Sequence, residues 1–329
     1  MHKMTSRAPL PVIGPAGDAQ SLYYRMLPFL EWMRVQNYSE ETVTLWEKYL
    51  RYFIQWCDER SVTQPAEVTR ALLERYQRHM YLYRKRDGGP LTARSQGMRI
   101  VPVRAWFSWM VKRHWLLSNV AADLELPRKE QRLPKYILSA QESERVINMA
   151  DVSHARGIRD RAMLETLYST GMRRFELAGL HVHDIDHEGG TVTIRQGKGK
   201  KDRVVPIGER ALSWLVKYRD EARPEWVRLD DDGTLFLTHR GHGFSKDSLG
   251  HLVRRYIESA GIGKRGSCHL FRHTMATLMI ENGADVSFVQ SMLGHADLKS
   301  TQVYTHIAIR KLKEVHAATH PARSTRLKK

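Results

Sequence analysis

"GGTVTIRQGKGKKDRVVPIG", residues 189–208, is the stretch on which the fold turns. β-Branched residues alternate with polar ones on the way in. Gly197 and Gly199 break the run, and a second β-branched run returns toward Ile207, so the stretch reads as a hairpin. Its tip, "GKGKKDR", sets Lys198 between two glycines, where a pliable turn can enter a groove. Nearly everything around it has helical periodicity. The hairpin therefore makes this part of the chain α+β, with one small antiparallel sheet.

Helices fit 140–150, 158–170 (closed by Gly171), 209–222, 246–260, 269–282, 285–293 and 298–305. The domain that holds them opens at 139–142 with "SAQE", a capping box in which Ser139 and Glu142 satisfy each other's backbone. It runs over 139–329 and ends in a C-terminal helix and a basic tail. Before it, "NVAADLELPRKEQRLPKYIL" (119–138) has two prolines, a charge run and no sustained period, and reads as a linker. Residues 21–118 form a separate helical domain. Ser39 caps a stripe of Val43, Trp46, Leu50, Phe53 and Cys57, and Thr69 caps one of Leu73, Tyr76, Met80 and Tyr83. "DGGP" at 87–90 breaks the pattern, and Pro102 is expected to end or kink the helical segment 92–115. Residues 1–20 are Pro/Gly-rich and read as a flexible arm. The expected architecture is two-domain and mainly α.

Lys and Arg number 53 against 36 Asp and Glu, for a net charge of +17 over 329 residues. The tail "RSTRLKK" (323–329) carries four of these charges, so the excess is spread along the chain and points to a polyanion such as nucleic acid. Cys57 and Cys268 are 211 residues apart, which suggests neither a disulfide framework nor a cysteine zinc site. The chain lacks an apolar run near the ~18 residues of a membrane span and a signal core, so a cytoplasmic protein is expected.

"CHLFRHTMAT" (268–277) puts His269, Arg272 and His273 on one helical face. Solvent, a metal or an anion must reconcile three such groups. His269 and His273 have the spacing of a zinc pair, but Leu270 stands where a zinc protease needs Glu, and no spacing rule links them to "HVHD" (181–184) or His187. The anion reading has more support. A phosphodiester under attack needs donors on its non-bridging oxygens, a nucleophile, and a proton for the leaving oxygen. Arginine suits the first task because its fork binds phosphate bidentately and stays charged. "TGMRRFELAGL" (170–180) places Arg173 just past a helix-ending glycine, with Glu176 able to orient it. "LGHADLKSTQVYTH" (293–306) adds His295 and, nine residues on, Tyr304.

In this order Arg173, Lys198, His269, Arg272, His295 and Tyr304 resemble the signature of the tyrosine recombinases, the phage-integrase family. The matching phrases are "LYSTGMRRFEL", "GKGKKDRVVPIG", "HLFRHTMATLMIENGAD" and "VQSMLGHADLKSTQVYTH". The resemblance spans about Ser21 to Thr305 and is closest to the Xer-like and mobile-element integrase branch. Arg174 stands where the family more often has an aliphatic or small residue, and Phe271 replaces a usual Leu; neither removes a reactive group.

The resemblance implies a SAM-like core-binding domain over 21–118 and a recombinase catalytic domain after it. It also implies that Tyr304 attacks DNA to give a 3′-phosphotyrosyl link, passing through a Holliday junction. Arg173 and Arg272 would clamp the phosphate and His295 would add a hydrogen bond. Lys198 would protonate the leaving 5′-oxygen, His269 would assist proton transfer at the nucleophile, and Glu176 would orient. His273 reads as structural or a minor DNA contact. No metal or cofactor is implied. The implied partners are double-stranded recombination sites, a homotetramer or paired recombinases on DNA, and an accessory DNA-bending or directionality protein, with no membrane. A type IB topoisomerase and an inactive DNA-binding regulator are the alternatives on the same fold.

Overall fold

The computed structural model describes residues 11–15, 17–128, 136–195 and 202–294. Lys198, His295, Tyr304 and the expected helices at 298–305 and beyond lie outside them. The chain divides into two compact units, the cut falling between Gln131 and Arg132. Among the described residues no helix is long and apolar enough to cross a membrane.

Among the described residues the first unit packs four α-helices: α1 (Leu22–Val35), α2 (Glu40–Asp58), α3 (Arg70–Leu82) and α4 (Ala93–Lys112). Each begins at a Ser or Thr whose hydroxyl accepts the backbone N–H three residues on: Ser21, Ser39, Thr69 and Thr92. Such caps contribute about 1 kcal/mol each. The interior is aromatic. Phe29 stacks with Trp32 and Trp46 at 5.7 and 6.1 Å, and Phe53 meets Tyr76 edge-on at 5.0 Å. One expectation is narrowed here, since Pro102 does not end its helix, and one fails. Helix α4 continues through Pro102, because Ile100, Val103, Trp106, Phe107 and Met110 bury on both sides of it and offset the ~3 kcal/mol that an interior proline costs. Tyr83 ends α3 as an exposed residue and does not extend its buried stripe.

The second unit is built around α6 (Ala155–Thr170), against which α8 (Glu209–Lys217) and α10 (Cys268–Glu281) pack. Helix α6 is buried on nearly every side, and its buried acids are paired. Asp160 binds Arg159 at 2.6 Å and the Tyr256 hydroxyl at 2.8 Å, while Glu165 takes Arg161 and Arg210. The Ser139–Glu142 box caps α5 (Ala140–Ile147), with both of its hydrogen bonds present at 3.1 and 2.6 Å. Short α7 (Arg174–Ala178) follows α6. A three-stranded antiparallel sheet then runs in the order β1 (Ile185–Asp186), β2 (Thr191–Ile194), β3 (Arg203–Pro206), with Ile194 opposite Arg203. The edge strand β1 was not expected from the sequence. Helix α8 stops at Lys217, and the expected 209–222 helix finishes as a π-turn over Tyr218–Ala222. Helices α9 (Lys246–Ser259), α10 and α11 (Val286–Leu293) follow among the described residues.

Candidate active site

Two left-handed glycines shape the site. Gly171 closes α6 at φ 59°, and a β-carbon there would lie 2.1 Å from Met275 Cε of α10. Gly294 closes α11, also at φ 59°, and a β-carbon there would lie 3.0 Å from Cδ, Nε and Cζ of Arg203. Glycine is needed at both positions for backbone and for space. The result is that the ends of α6 and α11 meet the side of α10 where the arginines converge.

Arg272 lies on the buried side of α10. Its Nη1 donates to the Gly171 carbonyl at 2.7 Å and its Nη2 to the Leu293 carbonyl at 2.6 Å. Arg173 is the N-cap residue of α7. Its Nη1 donates to Glu176 Oε1 at 2.9 Å and its Nη2 to the Gly294 carbonyl at 3.1 Å. Glu176 reaches back to the Arg173 backbone N–H at 2.7 Å, as a third-position acid does in a capping box. Burial opposes the charge on Glu176, but hydrogen bonds from Arg203 and from the backbone and side chain of Arg173 hold its carboxyl at about 2. The structure thus brings Arg173, Glu176 and Arg272 together at the end of α11.

His269 stands one turn before Arg272 at the exposed start of α10. Partial desolvation of its ring and the positive charges of Arg272, Arg174 and Arg173 lower its pKa below 6.5. Burial, with His269 and Arg272 nearby, pulls His273 down to about 4. Both imidazoles are therefore neutral at pH 7, and of the three groups on that helix face only Arg272 is charged. A neutral His269 is able to accept a proton. Arg174, one residue past the clamp, turns toward α9 and pairs with Asp247 at 3.7 Å.

The other histidine cluster is a polar turn. Asp184 accepts from the His181 backbone N–H at 2.9 Å and from Arg195 Nε at 2.6 Å, and the two neighbouring rings lie 3.7 and 3.8 Å from it. Among the described residues no group of three or more His, Cys, Asp or Glu is placed to hold a metal ion.

One residue of the site went unread in the sequence. Arg203 shares a face of β3 with fully buried Val205, because side chains alternate along a strand. A charge at an inward position needs a buried partner. That partner is Glu176, which takes Arg203 Nη1 and Nη2 at 2.8 Å each. The alternation was visible in the sequence; the partner was not.

Residues 137–310 match the model of the phage integrase family. The chain is 49% identical over 296 residues to "Tyrosine recombinase XerC 2" of Ralstonia nicotianae, covering 90% of this chain and 85% of that one. It is 34% identical over 297 residues to "Tyrosine recombinase XerD" of Listeria monocytogenes serotype 4b, covering 89% and 97%. Among solved structures, XerH site-specific recombinase bound to its palindromic difH substrate in a post-cleavage complex matches with a TM-score of 0.69. That match has 22% identity and covers 86% of this chain and 81% of that one, a likeness of fold.

Proposed function

The chain belongs to the phage integrase family, and from that premise we propose that it cuts and rejoins double-stranded DNA at specific sites through a 3′-phosphotyrosyl intermediate. The observation that carries this reading is the convergence of Arg173 and Arg272 on adjacent carbonyls, Gly294 and Leu293. From that point the chain continues to His295 and Tyr304.

Tyr304 is the nucleophile in this reading. A phenol has an ordinary pKa of about 10, and nearby cations favour its ionised form. Arg173 and Arg272 hold the non-bridging oxygens of the scissile phosphate and stabilise the charge that builds there as the phenol attacks. His295 adds a hydrogen bond to the same oxygens. Lys198 delivers a proton to the departing 5′-oxygen, and neutral His269 takes one from the nucleophile's side. The ester energy is retained in the protein–DNA bond, so rejoining needs no nucleotide. Fixed guanidiniums supply the positive charge that a divalent ion supplies in other phosphoryl-transfer sites.

The net charge of +17 supports duplex DNA as the partner, with phosphate contacts providing most of the affinity. Exchange between two duplexes, each cut at two positions, calls for four protomers, and a homotetramer on DNA passing through a Holliday junction meets that need. The matched relatives are named recombinases, which favours exchange over topoisomerase-type relaxation. The test is covalent trapping. Duplexes covering the DNA beside the native gene, nicked to release the short product, should yield a protein–DNA adduct with wild type. Tyr304→Phe should yield none; a Tyr304→Phe adduct equal to wild type would overturn the assignment.

A further inference from the structure

We propose that Arg203 is a positioning residue for DNA cleavage, which keeps Glu176 from neutralising Arg173 and fixes the end of α11. This rests on the strand-cleavage reading above and concerns how the arginine clamp keeps its charge.

Glu176 has two oxygens with four lone-pair positions, and all four are used. Oε1 accepts from Arg173 Nη1 at 2.9 Å and from Arg203 Nη1 at 2.8 Å. Oε2 accepts from the Arg173 backbone at 2.7 Å and from Arg203 Nη2 at 2.8 Å. The Glu176 side chain is 4% exposed, and those of Arg173 and Arg203 are 19% and 14% exposed, so water screens the group weakly.

Consider the charges. Arg173 and Glu176 alone would cancel, leaving a clamp arginine that is well oriented but electrostatically spent. Arg203 returns the group to one net positive charge, and Arg272 beside it makes two. A phosphodiester carries one negative charge and gains more as the nucleophile adds, so the second positive charge is felt chiefly in the transition state.

Arg203 has a second attachment. Its Nε donates to the Met292 carbonyl at 3.0 Å, and its guanidinium lies against Gly294. Arg203, Arg272 and Arg173 therefore hold three successive carbonyls, those of Met292, Leu293 and Gly294. Arg203 is also the first residue of β3, five residues after Lys198 in the sequence. One side chain thus ties that strand, the orienting acid and the departure point of the His295–Tyr304 segment.

A salt bridge that served only folding would respond differently to a second substitution, and the experiment uses this. Single-turnover cleavage is measured at saturating protein on the nicked duplex that traps wild type, and DNA affinity is measured separately on the intact duplex. Arg203→Gln should slow cleavage on the order of 10²-fold, with affinity nearly unchanged. Arg203→Lys keeps the charge and should recover most of that loss. The decisive variant is Arg203→Gln with Glu176→Gln, which removes the unbalanced acid along with its partner. It should cleave roughly tenfold faster than Arg203→Gln alone. If the double variant is as slow as Arg203→Gln or slower, or if Arg203→Gln cleaves like wild type, the proposal is wrong. Should Arg203→Gln not fold, the Arg203→Lys and double variants carry the comparison: Arg203→Lys slower than the double variant also overturns the proposal. A wild-type protein that forms no adduct at all would instead overturn the parent reading.

Discussion

Glu176 allows a stability prediction with a defined pH window. Its carboxyl is held at about 2 in the folded protein, against 4.5 for an ordinary glutamate. The folded state therefore binds a proton less readily than the unfolded chain, and stability from this group is fully present above about pH 5. It is lost as pH falls from about 4.5 toward 2. At about 1.4 kcal/mol per pH unit of difference, the full contribution is roughly 3 kcal/mol, of which roughly 2 kcal/mol is gone by pH 3. Other carboxylates are lowered too, among them Glu142 and Asp285, so wild type alone would mix several groups. Subtracting Glu176→Gln removes that background, because the variant has no proton to gain at this position. Urea unfolding of both proteins, followed through the transition of the catalytic unit from pH 6 to pH 3, should show wild type ahead at pH 6. Its lead should shrink by roughly 2 kcal/mol at pH 3. A lead that stays constant to within about 0.5 kcal/mol would mean that the two arginines do not hold the carboxylate as described.

Gly171→Ala should destabilise the catalytic unit by about 2–4 kcal/mol, combining left-handed backbone strain with overpacking against Met275. Adding Met275→Ala should recover the packing part only, and an unchanged urea midpoint for Gly171→Ala would contradict both causes. Because the pKa of His269 lies below 6.5, wild-type cleavage should hold level from pH 8 to about 6.5 and decline at lower pH. The His269→Gln variant should be slower and show no such decline; a limb that survives in it would remove His269 from proton transfer.

Local grammar was the most legible part of this chain. Ser39, Thr69 and Ser139 announce their helices because a hydroxyl with an acid or an amphipathic stripe behind it has few other uses. The hairpin was readable for the same reason, since alternation and a double glycine act within a few residues. Arg173, Glu176, His269 and Arg272 could be picked out by order and spacing, and the fold gathers them. What stayed hidden depends on long-range partners. Arg203 and Glu176 are 27 residues apart, and Arg272 reaches Gly171 across 101. No local pattern encodes which carbonyl an arginine will meet. Pro102 is the opposite case: its local rule allowed the helix to end there, but the core packed around α4 carries it through.

The three arginines turn α11 into a ruler. Each residue of an α-helix advances about 1.5 Å and turns about 100°. Adding or deleting one residue between Val286 and Leu293 would therefore swing the Met292, Leu293 and Gly294 carbonyls away from all three guanidiniums at once. The turn at Asn282 and Gly283 is exposed and lies before α11 begins, so an added residue there leaves the length of that helix unchanged. Chain length in this region is consequently tolerant before Asp285 and intolerant after it. Lineages that diverge from this sequence should place their insertions and deletions on the near side of that boundary.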